Sequence, residues 1–299
     1  MKVLGIDLGG TSAKIGVVEE SKILERVSVP TRQDGSYRGI LHDLAGAARE
    51  LSEKYGACRI GIGSPGLIDT VAGKVCCSNN IAWENAPLGK DLEAELNLPA
   101  RIANDAKCAA LGEALYGAGR GYSRVLMLTL GTGVGGAYIQ DGKADSVDKY
   151  ADASEIFGHM SIEHNGRLCT CGRRGCLEAY CSATALTKRA REVLGESITA
   201  EQLFLRAREK DFAAEKLILE FIDYLADGTV NLVNAVRPQI VVFGGGVSAS
   251  AEAFLPGVND RLAQEVFGFV FAPVKAVRAT LGNDAGIVGA AALWGKDAG

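Results

Sequence analysis

Three cysteines stand close together in Cys169-Thr170-Cys171-Gly172-Arg173-Arg174-Gly175-Cys176, and His159 lies ten residues ahead of the first. Three thiolates and one imidazole fill a tetrahedral Zn²⁺ shell and leave no open position, which makes such a site structural. Gly172 and Gly175 let the chain fold back between the thiols. His164 competes for the fourth place, and spacing alone does not separate it from His159. A reactive or disulfide-forming cluster is the other chemistry open to these thiols. The remaining five cysteines, Cys58, Cys76, Cys77, Cys108 and Cys181, have mostly apolar or small neighbours and read as packed or surface thiols.

A second set of residues suits anions. Asp7-Leu8-Gly9-Gly10-Thr11 and Thr129-Leu130-Gly131-Thr132-Gly133 each end an apolar run, and Gly244-Gly245-Gly246 ends a third. Without Cβ, backbone can approach a phosphate closely and offer N–H groups to it. One such turn reads as an ordinary hairpin. Two matching turns and a third make Gly9, Gly10, Thr11, Gly131, Thr132, Gly133, Gly244, Gly245 and Gly246 candidates for holding phosphates. Asp7, at the end of its strand, suits a hydrated Mg²⁺ carried by the nucleotide, or caps the turn. Lys14, on the next strand, joins the phosphate-binding candidates, with a solvent-facing lysine as the alternative. Asn104-Asp105 precedes a helical stretch from Ala106 to Tyr116, so either residue is a candidate N-cap.

The elements that carry these groups follow from apolar periodicity. Strands are expected at Lys2 to Leu8, Ala13 to Val18 and Ile23 to Val29. A helix is expected from Arg38 to Tyr55, and a short buried strand at Ile60 to Gly63 stops at Ser64-Pro65-Gly66. A second pass starts near Arg124, with strands Val125 to Leu130 and Val134 to Gln140 and a hairpin turn at Asp141-Gly142. Strand, glycine–threonine turn, strand thus occurs twice, as a weak internal repeat. The chain up to Gln239 then reads as mostly helical, in Ala183 to Leu194, Thr199 to Glu209 and Phe212 to Ala235, the last ended by Arg237-Pro238. A buried strand at Gln239 to Phe243, a helix, a strand near Val274 to Ala279 and a helix from Asp284 follow. The pattern is mixed α/β, with two related lobes and a cleft between them.

Composition narrows the function classes. Glycine accounts for 38 of 299 residues, against a usual share of about 7%, without the three-residue period of collagen. An apolar fraction of 47% and only seven prolines exclude a disordered chain. The length suggests two domains. A net charge of −4 without a basic stretch points away from nucleic acid and anionic membranes. Asp7 interrupts the first apolar run before it could serve as a signal peptide, and no run is long enough to span a bilayer. A cytoplasmic protein is the expectation.

Together these segments resemble the ROK family of sugar kinases and repressors. The resemblance runs through Gly5-Ile6-Asp7-Leu8-Gly9-Gly10-Thr11, Gly63-Ser64-Pro65-Gly66, Asn104-Asp105-Ala106, Leu130-Gly131-Thr132-Gly133-Val134-Gly135 and Gly158-His159. It continues through the cysteine cluster into Gly175-Cys176-Leu177-Glu178, Gly244-Gly245-Gly246-Val247 and Leu281-Gly282-Asn283-Asp284-Ala285-Gly286. It implies a two-lobed actin-like (ribonuclease H-like) ATPase fold. Residues 1–118 plus 285–299 would form one lobe, and 119–284 a larger one with a zinc loop. It implies ATP-dependent phosphorylation of a hexose, glucose at O6 foremost, with an amino-sugar or β-glucoside kinase as the alternative. A sugar-sensing repressor is the distant one, since no basic recognition helix precedes the first strand.

The resemblance makes Asp105 the catalytic base. It places Gly66, Asn80, Asn104, Asp105, Glu155, His159 and Glu178 around the sugar, and favours His159 as the zinc ligand with Cys169, Cys171 and Cys176. It also implies a homodimer or homotetramer. One departure stands out. Glu155 precedes His159 by four residues where the family has three, so a bulge keeps it in the pocket or its contact is altered. The loop Ala144 to Ala153 lacks the glycines usual in the family.

Overall fold

The computed structural model describes residues 1–78, 80–144, 156–195 and 197–295. The chain divides into two compact units, Met1–Gly121 with Ile139–Glu155 and Asn283–Gly299, and Tyr122–Tyr138 with Ile156–Gly282.

The first unit begins with three strands, β1 (Lys2–Leu8), β2 (Ser12–Glu19) and β3 (Lys22–Pro30). They are followed by α1 (Tyr37–Tyr55), which buries Ile40, Leu41, Leu44, Ala45, Ala48 and Leu51 at helical spacing. The Ser36 hydroxyl accepts the Gly39 N–H at its start, and Gly56 ends it in the left-handed conformation. The strand β4 (Ile60–Ser64) is buried throughout. A small sheet follows, built from β5 (Leu67–Asp69), β6 (Lys74–Ser78) and β7 (Trp83–Ala86) in that order. Then come α2 (Leu88–Leu96), β8 (Ala100–Asn104) and α3 (Asp105–Tyr116).

The next strands are β9 (Arg124–Leu130), β10 (Val134–Gln140) and the two-residue β11 (Lys143–Ala144). After the cysteine segment come α4 (Glu178–Cys181), α5 (Ala183–Leu194), α6 (Ala200–Arg208) and α7 (Phe212–Val236). They are followed by β12 (Ile240–Gly244), α8 (Ala251–Glu265), β13 (Lys275–Arg278) and α9 (Ala285–Ala292). The largely aliphatic core of the second unit contains an aromatic cluster. Phe221 and Phe243 each meet Phe254 edge-on, with centroids 5.6 and 5.7 Å away.

The two large sheets have matching strand orders, β3-β2-β1-β4-β8 and β11-β10-β9-β12-β13. β1 pairs parallel with β4, and β4 with β8. Likewise β9 pairs parallel with β12, and β12 with β13. The registers correspond as well, since Asp7 lies opposite Gly63 and Thr129 opposite Gly244. The glycine turns of the repeat therefore sit at equivalent places in two copies of one frame.

The first unit is completed by α9, from far along the chain. Gly61 of β4 and Gly289 of α9 are where backbones approach closest. A Cβ at Gly61 would fall 1.8 Å from the Ala290 carbonyl oxygen, and one at Gly289 1.6 Å from that of Cys108. Trp294, just past α9, donates its indole N–H to the Ile60 carbonyl and is stacked by Arg59 and Arg101.

Candidate functional site

The first unit gathers most of the candidate groups for catalysis. β8 ends at Asn104, whose side-chain oxygen accepts the N–H groups of Ala106 (3.0 Å) and Lys107 (3.3 Å). Asn104 is thus the N-cap, and Asp105 stands free of that duty at the first position of α3. The Asn104 amide also donates to the Gly66 carbonyl at 3.1 Å, joining two of the expected sugar-binding positions. Asp105 accepts the Ala106 N–H at 2.8 Å. Burial pushes its carboxyl up to about 6, the Ala106 N–H pulls it down, and the negative charge of Asp7 adds to the rise.

Asp7 closes β1. Burial raises its carboxyl too, opposed by the Lys14 ammonium 3.9 Å away. Lys14 lies opposite Asp7 in the β1–β2 pairing and donates to the Asn283 carbonyl at 3.4 Å. It therefore faces Asp7 and the approach to α9 rather than open solvent. Two carboxylates and one ammonium around a glycine turn suit a cation–phosphate complex. Asn80 is exposed, and its backbone packs on Gly10, where a Cβ would come within 3.3 Å of the Asn80 carbonyl oxygen.

The second unit holds the other candidates. Gly131 donates to the Gly133 carbonyl at 2.9 Å, closing the turn between β9 and β10. Gly244 is buried and Gly245 and Gly246 are exposed; Gly245 backs onto Leu130. His159, Cys169, Cys171 and Cys176 present ligand atoms that all lie within 4.8 Å of one another. Cys171 Sγ is 3.7 Å from Cys176 Sγ, and Cys169 Sγ is 3.4 Å from His159 Nδ1. A tetrahedron with metal–sulfur bonds of about 2.3 Å has edges of about 3.8 Å, so these two donor pairs stand close to the spacing of a metal shell.

His164 points elsewhere, pairing with the Asn165 amide at 3.1 Å, so geometry separates the two histidines where spacing did not. Burial raises the Cys169 thiol and pushes Cys176 up to about 12, while the Arg173 N–H lowers Cys171. A bound cation would need all three as thiolates and would displace their protons.

Glu178, at the first position of α4, bridges the turn and the cysteine segment. It accepts the Val134 N–H at 3.1 Å and the Thr170 hydroxyl at 2.8 Å. Gly175 has φ +79°, and a Cβ there would fall 1.8 Å from the Glu163 carbonyl oxygen, so only glycine fits the fold-back. The segment is pinned from outside by residues that no motif announced. Arg167 stacks on Tyr180 and pairs with Glu220 of α7, which also pairs with Arg189 of α5. Glu155 and the loop before it lie outside the described residues.

The model of the ROK family matches residues 3–297. The chain belongs to the ROK family. Among its ROK relatives it is similar to the glucokinase of Thermotoga maritima, 34% identical with 98% of this chain and 97% of that one covered. It is 32% identical to the N-acetyl-D-glucosamine kinase of Shigella boydii, over 97% of this chain and 98% of that one. Among solved structures, a ROK glucokinase from Streptomyces griseus, in complex with glucose and AMPPNP, superposes with a TM-score of 0.82 at 32% identity, covering 98% of this chain and 99% of that one. The mixed α/β chain thus has the actin-like ATPase fold of ROK proteins. Among the described residues, no helix is long and apolar enough to cross a membrane.

Proposed function

We propose that the protein is a cytosolic hexokinase that moves the γ-phosphoryl group of ATP to a hexose, glucose at O6 foremost. The observation that carries the reading is Asp105. Its carboxyl is freed from capping by Asn104, is pushed up to about 6, and lies in the field of Asp7. A base with that affinity accepts the proton of an attacking hydroxyl near neutral pH without holding it too tightly. The O6–H proton passes to Asp105, the O6–P bond forms as the bond from γ-phosphorus to the β-γ bridging oxygen breaks, and ADP leaves. Mg²⁺ accompanying ATP would be oriented by Asp7 and would neutralise charge on the phosphates. Gly9 and Gly131 turn their own N–H groups inward, to the Ser12 and Gly133 carbonyls, and close their turns; Gly10 and Thr11 offer N–H groups to phosphate, as do Thr132 and Gly133, and the Gly244 to Gly246 turn, in their own unit.

The sugar contacts are assigned to Gly66, Asn80, Asn104, His159 and Glu178. His159, Cys169, Cys171 and Cys176 fit a closed Zn²⁺ site that would stiffen the segment carrying His159 and Glu178. The N-acetyl-D-glucosamine kinases among the relatives favour a second reading, an amino-sugar kinase. ADP release measured over glucose, mannose, N-acetylglucosamine and N-acetylmannosamine separates the two. Turnover highest on glucose supports the first reading, turnover highest on an N-acetyl sugar selects the second, and no hexose-dependent ADP release overturns both.

A further inference from the structure

A trans peptide points its carbonyl and the following N–H in opposite directions. In the first glycine turn one short segment engages three successive carbonyls. The Thr31 hydroxyl donates to Gly9 O at 2.7 Å, the Gln33 amide to Gly10 O at 3.3 Å, and the Thr31 N–H to Thr11 O at 2.9 Å. The N–H groups of Gly10, Thr11 and Ser12 are thereby turned to the opposite side. Those of Gly10 and Thr11 donate to no group among the described residues.

The engaging segment is itself held. Arg32 grips Asp43 of α1 through two hydrogen bonds of 2.7 and 2.9 Å. Trp83 donates its indole N–H to the Gly35 carbonyl at 3.0 Å and packs edge-on against Tyr37. Thr31 is buried, and its hydroxyl bond to Gly9 spans 22 residues of sequence.

The arrangement recurs. In the turn after β9, the Thr184 hydroxyl donates to Thr132 O at 2.7 Å and the Ala183 N–H to Gly131 O at 2.8 Å. After β12, the buried Ser248 hydroxyl donates to Gly245 O, again at 2.7 Å. Every glycine turn singled out by the sequence has a hydroxyl behind it that binds a carbonyl.

We propose that Thr31 and Gln33 are positioning residues that fix the peptide planes of the Gly9–Thr11 turn so that its N–H groups face phosphate, and that Thr184 and Ser248 serve their own turns in the same way. The identity of the anion as a nucleotide phosphate rests on the kinase reading; the orientation of the peptides does not. Removing the Thr31 hydroxyl takes away the bond that holds the Gly9 carbonyl and frees the peptide to rotate, which costs anion affinity rather than sugar affinity; at Gly245 the carbonyl keeps the Ser248 N–H at 3.1 Å, so the Ser248 hydroxyl is the second of two bonds that hold it.

The test is titration calorimetry with MgAMPPNP on the native chain and on Thr31→Val, Thr31→Ser, Gln33→Ala and Ser248→Ala, alongside the KM for hexose at saturating ATP. Thr31→Val is expected to weaken MgAMPPNP about tenfold, the scale of one buried unmade hydrogen bond. Thr31→Ser should restore the affinity to within about twofold, since it keeps the donor. KM for hexose stays near native in both. A folded Thr31→Val with native MgAMPPNP affinity, even if it melts lower, overturns the proposal. If Thr31→Val does not fold, Gln33→Ala and Ser248→Ala decide it, and native affinity in both overturns it. A native chain that binds MgAMPPNP but phosphorylates no hexose overturns the kinase reading, while the same titrations still decide the orientation claim. A native chain that binds no MgAMPPNP overturns both.

Discussion

The turns after β1 and after β9 stand on the same strand frame and differ in charge. Asp7 and Thr129 occupy equivalent registers, opposite Gly63 and Gly244. The first frame then brings in a second carboxylate, Asp105, and an ammonium, Lys14. The second brings in a Cys/His cluster and a carboxylate, Glu178, whose oxygens are already taken by the Val134 N–H and the Thr170 hydroxyl. In the first frame the polar groups are two carboxylates and an ammonium around the turn itself, and in the second they tie the turn to the cysteine segment through Glu178. A repeated frame supplies two glycine turns at once, and their difference in charge comes from the residue at the strand end and the helix that follows.

The largest expected effect breaks the first frame at its base. Asp105→Asn should lower kcat by at least about 10²-fold, measured by ADP release, because Asn accepts no proton. Near-native turnover would move the base elsewhere. In the native chain, log kcat/KM should fall with unit slope as pH drops below about 6, where the carboxyl protonates, and this limb should vanish in Asp105→Asn.

Exchanging the strand-end residues sharpens the contrast. Asp7→Thr makes the first turn resemble the second and should reduce kcat/KM for MgATP about 10²-fold, the loss of one preorganised electrostatic group. Thr129→Asp should not rescue it. A rescue would show the frames to be interchangeable.

Metal content tests the second frame. Purified protein should carry about one equivalent of zinc per chain. Chelation should raise KM for hexose about 10-fold or more, as loss of a support around a site does, before it affects MgAMPPNP binding. Absence of zinc removes the structural-site assignment.

The smallest effect is on stability. The folded Asp105 carboxyl is raised from 3.8 to about 6, so its contribution is fully present below pH 3.8 and is lost as pH rises through 6. At pH 8 Asp105→Asn should therefore be more stable than the native chain by about 1–3 kcal/mol after allowing for residual solvent. The gap should close toward pH 4. Urea unfolding at the two pH values measures it.

The frame was legible because its strands and helices are long and regular. Lys2–Leu8, the stripe of α1 and the apolar run of β9 each declare their period. The small sheet β5–β6–β7 was not, since strands of three to five residues present too little alternation, and α2 was missed with it. For the site, Asn104-Asp105 left the cap undecided until the hydrogen bonds assigned it to Asn104. His159 and His164 both stand close enough in sequence to serve as ligands, and where the fold aims them is what separates them. Thr31, Gln33, Arg167 and Glu220 had no signal, because their partners are chosen by tertiary contact and a hydroxyl or an ion pair at long range leaves no periodic trace.

The close packing of α9 has a consequence in time. Its glycine contacts with β4 and α3 close the first unit, yet α9 is synthesised only after the 161 residues from Tyr122 to Gly282. At about 5–20 residues per second that interval is on the order of ten seconds. Throughout it the nascent first unit lacks its last helix, with Val3, Val18 and Cys108 still waiting for Ile287, Ala290 and Ala291. The frame that carries the proposed base is therefore the first to be synthesised and the last to be closed, and during that interval its uncovered apolar groove is a target for chaperones.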